Sequence, residues 1–226
     1  MFNRLSKHFY ILSILLFLYF PLFILVVFSF NDAQYSSQWH QFSLKWFKSL
    51  SHDKVLIQAL FNSLLLAFCS AFIATFNSVL AATILVLHQS HKLLRKFLIF
   101  PSFLIILPDL ILGVGFLLIL NLLNIPFGFI SLLIAHVTFC MPFIIFSLFP
   151  KIKSFNQNYY FAALDLGASK AYTWKKVIVP ILAPAIINAF FLGFTLSFDD
   201  VIISYFVAGP EFNILPLTIF GMIRSG

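Results

Sequence analysis

Apolar residues run along this chain in long unbroken blocks, and the polar residues gather between the blocks. Five blocks, at about 9–30, 60–87, 97–123, 129–149 and 181–206, reach the roughly 20 residues an α-helix needs to cross a hydrocarbon core about 30 Å thick. The blocks are continuous and lack the period-two alternation of barrel strands, so the pattern predicts helices. The fold class expected is all-α, a polytopic membrane helical bundle forming a single transmembrane domain over residues 1–226. One polar stretch breaks this rhythm. Residues 155–180 read FNQNYYFAALDLGASKAYTWKKVIVP, with short helix-forming runs on either side of Gly167 and Pro180 where the next span is expected to begin. It is too long and too patterned for a connector, and predicts an element that meets a soluble partner.

Composition agrees with the pattern: 62% of residues are hydrophobic, 9% are charged and the mean hydropathy is +1.03, values of a chain that lives in a bilayer. Charge adds an orientation. Arg4 and Lys7 precede the first block, Lys92, Arg95 and Lys96 lie between the second and third, and Lys151, Lys153, Lys170, Lys175 and Lys176 between the fourth and fifth. The intervening segments carry only Lys45, Lys48 and Lys54, then none, then Arg224. Positive loops stay in the cytoplasm, so the N-terminus and the loop 150–180 are expected there and residues 31–57 outside. The net charge of +7 follows from this topology and gives no reason to invoke nucleic acid. The first block is too long for a signal peptide and no small-x-small site follows it, so an uncleaved helix is expected.

Motifs of enzyme chemistry do not occur. There is no G-x-x-x-x-G-K-[ST] and no H-E-x-x-H, and the six histidines are scattered. Cys69 and Cys140 fall inside spans without metal-ligand spacing, and His136 is expected to be a hydrogen-bonded packing residue. Three acids stand out instead. Asp109 follows Pro108 in the third block, and Asp199 and Asp200 sit together near the outer end of the fifth. A carboxylate at membrane depth costs about 2.5–3.5 kcal/mol on insertion scales and is retained mainly where it lines a cavity or pathway. No Lys or Arg interrupts any block, so the imbalance points to a positively charged visitor; the structural alternatives are that Asp109 caps a helix restarted after Pro108 and that Asp199 and Asp200 lie shallow enough to be wet. Pro101, Pro108, Gly113 and Gly115 make the third block the most breakable. Asn62, Ser63, Ser70, Thr75, Asn77 and Ser78 give the second a polar stripe, explained as well by helix-to-helix hydrogen bonding as by substrate.

The run A-A-L-D-L-G-A-S over residues 162–169, with V-I-V-P ending at Pro180, resembles the E-A-A-x-x-x-G-x9-I-x-L-P signature of inner-membrane permeases of ABC importers. Ala162, Ala163, Gly167 and Pro180 match, Val177 and Val179 replace Ile and Leu, and Phe161 stands where that family has glutamate. The text L-S-F-D-D-V-I-I-S-Y-F-V-A-G-P over residues 196–210, together with residues 29–31, 107–109, 136–143 and 214–224, is similar to permeases of spermidine/putrescine importers.

The resemblance implies a type I ABC importer permease fold in the bacterial cell inner membrane, multi-pass, with the N-terminus cytoplasmic. It implies a transport subunit, not an enzyme, with no cofactor of its own, since ATP and Mg are bound by the partner ATPase. The implied partners are an ATPase subunit dimer, a sister permease subunit and a periplasmic polyamine-binding protein. Phe161, Ala162, Ala163, Asp165, Gly167, Ala168 and Pro180 are the implied coupling residues. Asp109, Asp199 and Asp200 are the candidates for the substrate path. Such permeases have six spans, so a sixth is expected to be missing beyond the five. Three alternatives stay open: an ABC permease for another small solute, a truncated non-transporting subunit, and an ion-coupled transporter.

Overall fold

The computed structural model describes residues 4–33, 38–87, 99 and 101–225. The basic loop of Lys92, Arg95 and Lys96 and the start of the third block, at residues 97, 98 and 100, lie outside the described residues. Two compact units divide the chain, Met1–Ile57 and Gln58–Gly226.

In the first unit, α1 (Arg4–Phe28) is apolar on every face and its side chains from Phe9 to Val26 are exposed, the character of a helix whose environment is hydrocarbon or other helices. A loop follows, held around the buried Asn31. Its Nδ2 donates to Gln38 O at 2.8 Å, its Oδ1 accepts from His40 N at 2.9 Å, and its carbonyl accepts from Trp46 Nε1 at 2.9 Å. Phe30 stacks on Phe42, and the amphipathic helix α2 (Lys45–His52) closes the segment.

The second unit begins within α3 (Lys54–Leu87), which there presents a buried face of small residues, Ala59, Ser63, Ala67, Ser70, Ala71, Ala74 and Ser78. Spacings of three and four put them on one side of the helix, and their size admits close packing, as membrane helices need. Part of the polar stripe is thereby explained: Asn62 Nδ2 donates to Asn213 O at 2.8 Å and Ser63 Oγ accepts from Leu215 N at 2.7 Å. The most buried helix is α5 (Phe129–Lys153), which packs along α8 (Val179–Phe198). The contact is close because Gly193 lies where a Cβ would meet Ile144 Cδ1 at 2.6 Å. Between them lie α6 (Asn158–Asp165) and α7 (Lys170–Thr173), and after α8 come α9 (Ile202–Val207) and α10 (Leu215–Ser225). The remaining long element is α4 (Asp109–Leu122), packed against α9.

The expectation of five spans with a missing sixth needs correcting. Four helices among the described residues have the length and composition to cross a membrane: His8–Phe28, Lys54–Ala81, Phe129–Lys153 and Lys170–Phe198. The predicted span 97–123 is broken. Residues 101–106 are helical, Leu107 and Pro108 are not, and α4 restarts at Asp109, leaving 14 residues or about 21 Å of helix. Pro108 has no N–H to donate and disfavours helix at Leu107, which accounts for the break.

The predicted span 181–206 also differs. Its helix starts earlier, at Lys170, passes a π-helical turn at Trp174–Ile178, and stops at Phe198 before α9 resumes at Ile202. Pro180 therefore lies inside the long helical run, in the first turn of α8. Its ring would crowd the carbonyl of Lys176 in a regular α-helix, and the wider π turn accommodates it. Finally, residues 215–225, beyond the last of the predicted spans, form the short apolar helix α10, with Pro216 in its first turn.

Candidate functional site

Both breaks open on one cavity. It has a volume of about 390 Å³ and is lined by Asp109, Phe139, Thr195, Leu196, Asp199, Asp200, Val201 and Ile202. The three acids singled out in the sequence are thus brought together from positions some ninety residues apart. Gly113 sets the approach of α4 to α9, since a Cβ there would meet Phe206 Cδ2 at 2.5 Å, and Gly209 sits against the Phe127 carbonyl where no side chain fits.

The acids are not equivalent. Asp200 has a nearly buried side chain, 6% exposed, that caps α9. Its Oδ2 accepts from Ser204 N and from Ser204 Oγ, both at 2.8 Å, while Oδ1 accepts one longer bond from Ile203 N at 3.3 Å. Donation of this kind satisfies amides that a helix N-terminus leaves free. The carboxylate also has a basic neighbour that a search for Lys and Arg passes over: His136 Nε2 lies 3.6 Å from Oδ2. His136 is fully buried, with Nε2 2.9 Å from Ser204 Oγ and Nδ1 2.7 Å from Ser197 Oγ, and Ser70 Oγ donates to Ser197 Oγ at 2.8 Å. It is the hydrogen-bonded packing residue the sequence led us to expect. Its partners lie 61 and 68 residues away, so no local motif could reveal the set.

Asp109 and Asp199 are exposed, and neither carboxylate has a hydrogen-bond or ion-pair partner among the described residues. Asp109 opens α4, where the positive end of the helix dipole favours a negative charge. Asp199 is the C-cap of α8, at the negative end, where like charge is disfavoured by about 0.3–1 kcal/mol. Capping explains Asp200 and partly explains Asp109. For Asp199 it explains nothing, and a cation in the cavity would satisfy it. Phe139 and Thr195 also line the cavity; an aromatic and a threonine inside apolar runs gave no signal in the sequence.

The second predicted site divides differently. Gly167 is the C′ residue of α6, at φ 86°, where only glycine is unstrained. Ala168 N donates to Ala163 O at 3.1 Å and Gly167 N to Leu164 O at 2.9 Å, the paired bonds of a Schellman motif. Ser169 then caps α7, accepting from Tyr172 N at 3.3 Å. The run L-D-L-G-A-S is therefore a helix stop followed at once by a helix start. Ala163, Gly167 and Ala168 line a shallow concavity of about 570 Å³ with Leu166, Ser169 and Tyr172. Phe161, Ala162 and Asp165 stay exposed on α6 outside that lining, and Pro180 lies apart, in α8. Leu166, 89% exposed, and Tyr172, 58% exposed, were not among the residues expected.

Four membrane-length helices, an acidic cavity at two helix breaks, and the exposed helix α6 turning at Gly167 into the start of the fourth membrane-length helix are the features of a polytopic membrane protein. Known proteins agree. The fold is similar to that in a crystal structure of a bacterial ABC transporter involved in the import of the acidic polysaccharide alginate, with a TM-score of 0.72 at 17% identity over 97% of this chain and 81% of that one. The spermidine/putrescine transport system permease protein PotC of Escherichia coli K12 is 37% identical over 227 aligned positions, covering 100% of this chain and 85% of that protein. PotC of Haemophilus influenzae is 37% identical over 93% of this chain and 81% of its own length, and the putrescine transport system permease PotI of Escherichia coli K12 is 32% identical over 93% and 77%. No family model matches. The chain belongs to the PotC family of transport system permeases, multi-pass proteins of the bacterial inner membrane. It is a transport subunit, not an enzyme.

Proposed function

We propose that this chain is the transmembrane permease subunit of an ATP-driven polyamine importer, with the acidic cavity on the substrate path and α6–α7 as the element that docks on the ATPase. The observation that carries this reading is the convergence of Asp109, Asp199 and Asp200 on one cavity in a region without Lys or Arg. Spermidine and putrescine are polycations with apolar spacers. Carboxylates about an apolar wall complement them, and the Phe139 face adds a surface that attracts ammonium groups. The fold alone does not set the substrate, because a transporter involved in the import of the acidic polysaccharide alginate has a similar frame. The sign of the cavity argues here for cations.

Residues 1–226 then act as one transmembrane domain, with the N-terminus and the loop 150–180 in the cytoplasm as the positive-charge pattern requires. An ATPase subunit dimer, a sister permease and a periplasmic polyamine-binding protein complete the importer. Closure of the ATPase dimer on ATP pulls α6 and α7, with Phe161, Ala162, Ala163, Asp165, Gly167 and Ala168, and the pull reaches the cavity through the helix that runs past Pro180 from Lys170 to Phe198. Hydrolysis resets the cycle. Asp109 and Asp199 hold the ammonium groups in transit. The test is co-purification of the chain with its ATPase, followed by uptake of radiolabelled spermidine and putrescine into vesicles holding the whole complex. ATP-dependent uptake of both is expected; uptake that follows an ion gradient without ATP contradicts the proposal.

A further inference from the structure

Ser204 Oγ has one proton, and its 2.8 Å contact with the acceptor-only Asp200 Oδ2 commits that proton to the carboxylate. The 2.9 Å contact with His136 Nε2 must then be filled by a proton from the ring, which makes Nε2 the protonated nitrogen and Nδ1 the acceptor. Ser197 Oγ gives its proton to Nδ1 at 2.7 Å, and so accepts from Ser70 Oγ at 2.8 Å. The order is one-way: Ser70 to Ser197 to His136 to Ser204 to Asp200, from α3 through α8 and α5 to α9. Every polar hydrogen in it has an acceptor; Ser70 Oγ has a second one in Ala67 O at 3.2 Å, and from Ser197 onward no member can turn without leaving a buried group unpaired.

The chain ends on the one cavity carboxylate that is held. Ser204 and its amide occupy Oδ2, whereas Oδ1 has a single long bond and keeps acceptor capacity. We propose that His136 is a positioning residue for substrate selection: by locking the Ser204 hydroxyl onto Asp200 Oδ2, it holds Oδ1 as a third cation contact beside Asp109 and Asp199. A diamine is served by the two free carboxylates. A triamine gains from the third, so the lock favours spermidine over putrescine. This rests on the polyamine reading above.

The experiment measures spermidine and putrescine uptake by the reconstituted importer carrying His136→Phe, His136→Gln, Ser204→Ala or the His136→Phe/Ser204→Ala pair, with assembled complex quantified for each. The ratio of the two rates is the readout, because lost assembly lowers both rates together. The spermidine-to-putrescine ratio is expected to fall about fivefold in His136→Phe and Ser204→Ala, the size of one lost hydrogen bond. His136→Gln, which keeps an N–H donor, is expected to stay near wild type, and the pair to be no worse than its worse member, as for residues acting in series. An unchanged ratio in assembled Ser204→Ala and His136→Phe overturns the inference while leaving the substrate reading intact. Loss of assembly in all the variants also overturns it, since the chain of bonds then serves folding alone. A wild-type importer that takes up neither amine overturns the substrate reading itself.

Discussion

The acidic cavity and the α6–α7 pair are both polar interruptions in apolar helices, and they are built in opposite ways. At the cavity, side chains from four helices form a closed set of hydrogen bonds that fixes Asp200 and leaves Asp109 and Asp199 open. In α6–α7 the shape comes from backbone bonds within six residues, and the side chains it displays, Leu166 above all, are exposed and apolar. A site preorganised by distant residues can bind a small ion unaided. A site that holds only its backbone and displays an apolar side chain awaits a partner surface. On the function proposed above, substitutions in the cavity should act on which cation moves, and those in the loop on whether ATP drives the movement at all.

The largest effect expected is therefore in the loop. Leu166→Asp puts a charge on its most exposed apolar side chain, and anchors of this kind are worth about 2 kcal/mol or more at interfaces, so ATP-driven uptake should fall by roughly thirtyfold. Co-purification with the ATPase should fall in step. Retained docking and uptake would remove the contrast between the two regions. The smallest effect expected is a gain. Phe161→Glu places on the exposed face of α6 the acid that the signature resemblance implies there, where a single surface ion pair is worth up to about 1 kcal/mol, so ATPase activity per complex should rise about fivefold or less. No gain, with docking unchanged, would show that Phe161 makes its own apolar contact.

The sequence exposes these two regions unequally. The loop was legible because its signals are local: short helix-forming runs on either side of Gly167, and lysines that predict a cytoplasmic location; the cap at Ser169 emerged only from the structure. The three acids were legible because each is costly in a bilayer. Their convergence was not, since Asp109 reaches the others only by tertiary packing. The break at Pro108 carries its own marker, whereas the break at residues 199–201 contains neither proline nor glycine, which let residues 181–206 pass as one span. His136 shows the same limit. Its burial could be inferred from its apolar run, but its link to Asp200 depends on serines 61 and 68 residues away.

In the function proposed here, Asp109 and Asp199 carry cations through this subunit. Uptake of radiolabelled spermidine by the reconstituted importer, compared between wild type and Asp109→Asn/Asp199→Asn at equal amounts of assembled complex, tests it most directly. Both carboxylates are exposed and unpaired among the described residues, so assembly should persist. Loss of two charge-assisted contacts should lower uptake by about tenfold or more. Uptake equal to wild type in the double variant would contradict the account.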